Sequence, residues 1–310
     1  MGGDVVTGNR RVVFARINRR RGDQETLEAR PFTEDIRALA ESHLTRHVQR
    51  AKASRPARRW FAADMAVTND GDFLQGTLGY SERQEQREFD TDAWSWAKGA
   101  THQADAGNEQ TVVPFSIDIR PDDRWVAFAT AARMQPAMFC SGFERVLNQA
   151  VADLGLIATS WEVDLITSRD SVDQWLSGHP DVHFFRRTVK FTNPGRDLDD
   201  DRREMQALAA RRKTEEFAAR YNRTLNARSS EFKSLLEGTE TGDLELVLKA
   251  RGVDTDHVST FNSTERPDEE LITEFANDLQ LGMELTLAAL RGYLRRRESG
   301  GRRTRDLFGD

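Results

Sequence analysis

Residues Asp243–Arg297 set two different hydrophobic periods side by side, and any fold for this chain has to house both. Leu244, Leu246, Leu248 and Ala250 alternate with Glu245, Val247, Lys249 and Arg251. That period of two belongs to a strand with one buried face. After a polar stretch through His257, Phe261 and Asn262, Pro267 predicts a helix start, because its fixed φ suits the first helical position, where the missing N–H costs nothing. Asp268, Glu269 and Glu270 fill the expected first turn and Arg291, Arg295, Arg296 and Arg297 the last, so charge complements the helix dipole at both ends. Ile272, Phe275, Leu279, Met283, Leu287, Leu290 and Leu294 form one apolar stripe that requires a partner surface. Such a helix reaches about 45 Å at roughly 1.5 Å per residue. The pattern predicts that part of it covers a core and part meets a second subunit.

The remaining sequence predicts the sheet. Val12, Phe14 and Ile17 mark a short strand that ends in Arg19, Arg20 and Arg21. A helix is expected from Phe32 to Lys52, with Ile36, Leu39, Ala40, Leu44 and Val48 on its apolar side. From Trp60 to Phe128 the texture is β. Strands from Trp60 to Val67 and from Phe73 to Tyr80 flank Asn69, Asp70 and Gly71, which is strong hairpin chemistry. Further strands near Phe89–Trp96, Val112–Ile119 and Arg124–Phe128 complete an antiparallel meander. Pro136 starts a helix burying Phe139, Phe143, Val146, Leu147, Ala150, Val151 and Leu154, and Gly155 is placed to end it. A strand from Trp161 to Ile166, a short helix from Ser171 to Leu176 and a strand from Val182 to Thr192 follow. Charged helices are expected from Leu198 to Tyr221 and from Ser229 to Leu236. The fold class is α+β: a β-rich half with two helices (1–157), a mixed α/β half ending in the long helix (158–298), and a flexible tail (299–310).

Charge narrows the partners. The formal net charge is -6, which argues against a globally cationic nucleic-acid binder, yet the chain holds 45 Lys and Arg. Any polyanion contact therefore rests on local patches. The single cysteine, Cys140, cannot form an internal disulfide, the first residues lack the apolar run of a signal peptide, and no stretch is apolar enough for a membrane span. These features predict a cytoplasmic protein.

One strand stands out chemically. Phe185, Val189 and Phe191 alternate with Arg186, Thr188, Lys190 and Thr192, and Lys249 and Arg251 repeat the arrangement later. If both strands share a sheet, Arg186, Lys190, Lys249 and Arg251 line one face, with Arg196 just beyond, and such a face tracks phosphates without reading bases. Arg46, Arg50, Arg55, Arg58 and Arg59 form a second basic cluster. Asp197, Asp199, Asp200 and Asp201 have the composition of a metal site but also the position of a helix start, where carboxylates stabilise the dipole. A metal-dependent nuclease using Asp164, Asp199 or Asp200 is the alternative reading, and a protein-binding scaffold built on the long helix is a third. His43 and His47 have zinc spacing on a helix but no glutamate after His43 and no third ligand, so HExxH is absent. Cys140 lies in an apolar helical run and reads as packing. No catalytic residue, metal or cofactor is expected.

The segment Glu245-Leu-Val-Leu-Lys-Ala-Arg-Gly252, the polar stretch ending at Asn262, and Pro267-Asp-Glu-Glu-Leu-Ile-Thr-Glu-Phe275 with its long helix resemble the RexA family of prophage exclusion proteins. Val189-Lys-Phe-Thr-Asn-Pro-Gly-Arg-Asp-Leu198 is similar to that family's basic strand running into a charged helix. The resemblance implies a homodimer that binds double-stranded DNA without sequence preference and is related in shape to RdgC. It also implies an intracellular sensor of superinfecting phage and a small membrane-protein partner encoded nearby. The negative net charge departs from what tight DNA binding requires.

Overall fold

Strand β1 (Thr7–Arg20) lies one strand in from an edge of the larger sheet in the computed structural model, which describes residues 7–20, 32–41, 46–49, 58–82, 89–90, 95–96, 109–120, 124–153, 160–190, 198–236, 238–253, 257–276 and 278–306. Val13, Ala15 and Ile17 bury into one core and Val12 and Phe14 into another, so both faces of the strand are covered. That sheet has the order β14 (Glu269–Ala276), β1, β8 (Trp125–Ala129), β7 (Glu109–Asp118), β4 (Phe73–Glu82), β3 (Arg58–Val67), β2 (Arg46–Gln49). A further strand, β9 (Ser160–Leu165), also pairs with β1. All pairs are antiparallel. Because β14 and β9 each overlap β8 in register along β1, they share the edge opposite β8, one after the other, and Asp268 N–H donates to Ile166 O across their junction at 2.7 Å.

Helices close both faces. On one side α2 (Pro136–Asp153) buries Phe139, Phe143, Val146 and Leu147, with the Phe139 ring stacked on Phe128 at 3.8 Å, and α1 (Phe32–Glu41) adds Ile36 and Leu39. On the other side α6 (Leu279–Asp306) lays Leu287, Leu290, Tyr293 and Leu294 over Phe14, Phe73 and Trp125. The hairpin forms as its turn residues require, with Gly71 at φ 76° and Thr68 accepting from Gly71 N–H. Two short strands, β5 (Phe89–Asp90) and β6 (Ser95–Trp96), pair with each other.

The second sheet is a four-stranded antiparallel one with the order β11 (Arg212–Ala218), β10 (Asp181–Lys190), β12 (Leu244–Arg251), β13 (Val258–Asn262). Helices α3 (Arg169–Gly178), α4 (Asp199–Ala207) and α5 (Ser230–Ser234) cover one face, supplying Val172, Trp175, Met205 and Phe232 against Phe185, Leu246 and Leu248. The α+β class is as expected.

Several element assignments differ from expectation. Residues Glu269–Ala276 form a strand and not the first turns of the long helix, because β1 offers them a backbone edge and Ile272, Thr273 and Phe275 suit a pleated surface. The helix starts only at Leu279, capped by Asp278 accepting from Leu281 N–H at 3.0 Å. At its other end it continues through Asp306, where a flexible tail was expected from residue 299. The expected helix from Phe32 to Lys52 ends at Glu41, and Arg46–Gln49 pairs with β3, which also removes the helical basis for His43–His47 spacing. The region from Leu198 to Tyr221 divides into α4 and β11 at a turn where Ala209 has φ 50°. The boundary expected near residue 157 is crossed, since β9, β14 and α6 complete the larger sheet. Leu44, Leu154 and Gly155 lie outside the described residues.

Candidate nucleic-acid interface

Strand alternation decides which cations share a surface. In β10 and β12 the paired residues Phe185 and Leu248, Arg187 and Leu246, and Val189 and Leu244 point toward the helices. Their neighbours Phe184 opposite Lys249, Arg186 opposite Val247 and Thr188 opposite Glu245 point the other way. Arg186, Lys190, Lys249 and Arg251 thus belong to one face, the face that α3, α4 and α5 leave open. On β11, Glu216 lies opposite Arg186 and Arg212 opposite Lys190, and on β13, Thr260 lies opposite Lys249 and Val258 opposite Arg251.

Position on the face does not make every cation available. Lys190 Nζ lies 2.6 Å from Asp164 Oδ1 and 2.7 Å from Glu245 Oε1. Burial opposes its charge, but Asp164 and Glu245 outweigh that and hold its pKa above the ordinary amine value. This ammonium joins the two sheets, because Asp164 sits on β9 and also accepts from Asn18 Nδ2 at 2.9 Å on β1. Gly242, at φ 79°, packs over the same group, and a Cβ there meets Asp164 Cβ at 3.2 Å. Lys190 is therefore a structural tie and not a phosphate contact.

The other three are looser. Arg186 Nη1 is 3.6 Å from Glu216 Oε1, with both side chains about half exposed, a pair worth roughly 0–1 kcal/mol and readily exchanged for another anion. Lys249 is exposed, with its ammonium 5.3 Å above the Phe184 ring, and Arg251 is exposed opposite Asp181. Arg212 joins them as an exposed cation that sequence reading missed by placing it in a helix. From the Arg251 row to the Arg212 row the face extends about 27 Å at roughly 6.8 Å per two residues.

The remaining candidates scatter. Arg58 Nε donates to Glu82 Oε2 at 2.8 Å, and its guanidinium lies over the Tyr80 ring near α2, while Arg59 is exposed on the opposite side of β3. Arg46 is in β2, and Arg50, Arg55 and Arg196 lie outside the described residues. The basic cluster therefore does not reach the open face as one surface through its described members.

The acidic candidates do not converge either. Asp164 is bound to Lys190 and Asn18 at the junction of the sheets. Asp199 and Asp200 begin α4 on the helix-covered side, with Asp200 fully exposed and Arg203 3.6 Å away. Asp201 is buried, 3.1 Å from Arg187 and 2.8 Å from Lys213, and Lys213 also holds Glu204 at 2.7 Å and Glu215 at 3.3 Å. Burial disfavours the Lys213 charge, but its three carboxylate partners raise its pKa well above normal. This is an internal ion network with its cations already in place. Among the described residues no group of three or more His, Cys, Asp or Glu is arranged to hold a metal, and no helix is long and apolar enough to cross a membrane. Cys140 is buried in the α2 core, where burial drives its thiol pKa far up and leaves it unreactive.

Comparison with known protein families and with curated proteins gives no match.

Proposed function

We propose that this chain is a non-enzymatic, sequence-tolerant DNA-binding protein that contacts duplex phosphates through the open face of its smaller sheet. One observation supports the reading above the others: Arg186, Lys249, Arg251 and Arg212 share that face over about 27 Å, the length of roughly eight base pairs at 3.4 Å per step. A sheet face that α3, α4 and α5 leave uncovered suits backbone contact and not base readout. Arg196, which follows β10 in the chain, is a further candidate. The resemblance to prophage exclusion proteins extends the proposal to a cytoplasmic homodimer that senses superinfecting phage and signals through a small membrane partner.

Fluorescence anisotropy with two unrelated duplexes across a salt series tests this. Four phosphate contacts give a log–log salt slope near about −3.6, from roughly 0.9 per contact. Similar affinity for both duplexes, and loss of binding in Lys249→Glu with Arg251→Glu, are the expected results. A flat salt series, or binding unchanged in that double variant, refutes the surface. Plasmid cleavage with Mg²⁺ that Asp200→Ala abolishes would instead establish the nuclease.

A further inference from the structure

The loop that leaves β11 holds a single aromatic ring out in water at one end of the open face. Ala218, the last residue of β11, lies opposite Phe184, which lies opposite Lys249, so the chain after it emerges at the end of the face that carries Arg251. Two backbone hydrogen bonds pin the feet of the loop to β10: Ala219 N–H donates to His183 O at 2.8 Å and Leu225 N–H to Val182 O at 2.7 Å. The Leu225 side chain packs against the core of the smaller sheet. Between the feet, Arg223 N–H donates to Arg220 O at 2.9 Å and closes a turn in which Asn222 sits at φ 55°. That left-handed conformation is what the third position of such a turn requires, and asparagine tolerates it. Tyr221 at the tip is 92% exposed, more than any other large apolar side chain among the described residues. A ring fixed there adds nothing to the core. Its surroundings set the charge of what it meets. From Phe217 to Ser230 the chain contains Arg220, Arg223 and Arg228 and no Asp or Glu, and all three arginines are exposed. The nearest acids in the chain are placed elsewhere: Glu215 holds Arg187 and Lys213, Glu216 pairs with Arg186, and Glu231 sits in the first turn of α5. Asp181 lies opposite Arg251. No ion pair joins Arg220, Arg223 or Arg228 to another described residue.

We propose that this turn recognises an unpaired base in DNA held on the open face, with Tyr221 stacking on the base and Arg220 and Arg223 taking the phosphates beside it. The proposal rests on the DNA-binding reading above and adds a preference to it, for a duplex that continues into unpaired strands over an unbroken duplex. Every base has a face on which a phenol ring can stack, so this recognition is tolerant of sequence. In an unbroken duplex those faces are already stacked on one another, and exposing one costs free energy. Flanking guanidiniums match phosphate oxygens in two-point geometry. A turn closed by its own hydrogen bond and pinned at both feet loses little freedom on binding.

Fluorescence anisotropy of the full chain with a continuous duplex and with a fork of the same sequence ending in two unpaired arms tests this. The fork is expected to bind about fivefold or more tighter, the lower end of what one base stacked on an aromatic ring contributes. Tyr221→Ala should abolish that difference while leaving affinity for the continuous duplex and the melting temperature unchanged, since the ring lies outside the core. Tyr221→Phe should keep the difference, because stacking needs the ring and not the hydroxyl. 2-Aminopurine at the first unpaired position of the fork should be quenched on binding by the wild type and by Tyr221→Phe, and not by Tyr221→Ala. Equal affinity for the two DNAs, or a fork preference that survives Tyr221→Ala, overturns the proposal, and salt-dependent binding of the continuous duplex in the same titrations leaves the open face standing. Binding to neither DNA refutes the open face and this proposal together.

Discussion

Lys190 and Asp164 come from different sheets and meet at 2.6 Å, with side chains only 24% and 8% exposed. Removing the acid leaves an ammonium largely shielded from water with Glu245 as its remaining partner. Asp164→Ala is expected to cost roughly 3 kcal/mol, the scale for breaking a buried pair, measured by urea denaturation at pH 7. Lys190 has a raised pKa in the folded state, so its contribution is complete below the unfolded amine value of about 10.4 and declines as pH rises through the folded one. The stability gap between wild type and variant should therefore narrow above pH 10.

Gly142 faces the Trp60 indole so closely that a Cβ there falls 2.2 Å from Cζ3 and 2.4 Å from Cε3. Trp60, on β3, is buried beneath α2 and cannot swing clear. Gly142→Ala should destabilise by about 1–3 kcal/mol despite its gain in helix propensity. A melting temperature equal to or above that of wild type would contradict this packing.

Asp268 is half-buried just before β14, and desolvation raises its pKa even though Arg297 and Arg296 pull the other way. The native state then keeps the proton to higher pH than the unfolded chain does, so stability falls as pH climbs from about 4 through the native value and the penalty persists at neutrality. Asp268→Asn should raise the melting temperature at pH 7, and the gain should shrink toward zero near pH 4. A gain that grows on acidification would reverse the assigned sign.

Glu216 is the acid paired with Arg186 on the open face. Under the proposed DNA-binding role, Glu216→Gln should tighten duplex binding by about two- to fivefold at low salt, since the pair it breaks is worth less than about 1 kcal/mol. The measurement is the same anisotropy titration, and weaker binding would count against the open face.

The sequence was most legible where a local signal also fixes the structure. The turn at Asn69–Gly71, the buried stripe of α2 and the alternating strands β10 and β12 could all be read from spacing alone. Misreadings fall where the deciding partner is remote. Glu269–Ala276 is acidic behind a proline and looks like a helix start until β1, more than 250 residues earlier, is available to pair with it. Arg212–Ala218 resembles a continued charged helix unless β10 is already known to lie beside it. The open face was legible as alternation, but the binding of Lys190 by Asp164 was not, because nothing in the spacing of two residues 26 apart reports that their strands meet.

The place of β1 in the larger sheet also sets an order of assembly. The N-terminal half of β1 is synthesised more than 250 residues before the segment 269–276 with which it pairs. Until then its hydrogen-bonding groups along residues 7–13 lack their final mate and can template pairing with another unfinished copy. A ribosome that stalls, or a stop codon that falls, before residue 269 would release a product prone to self-association, so productive maturation depends on synthesis of that segment.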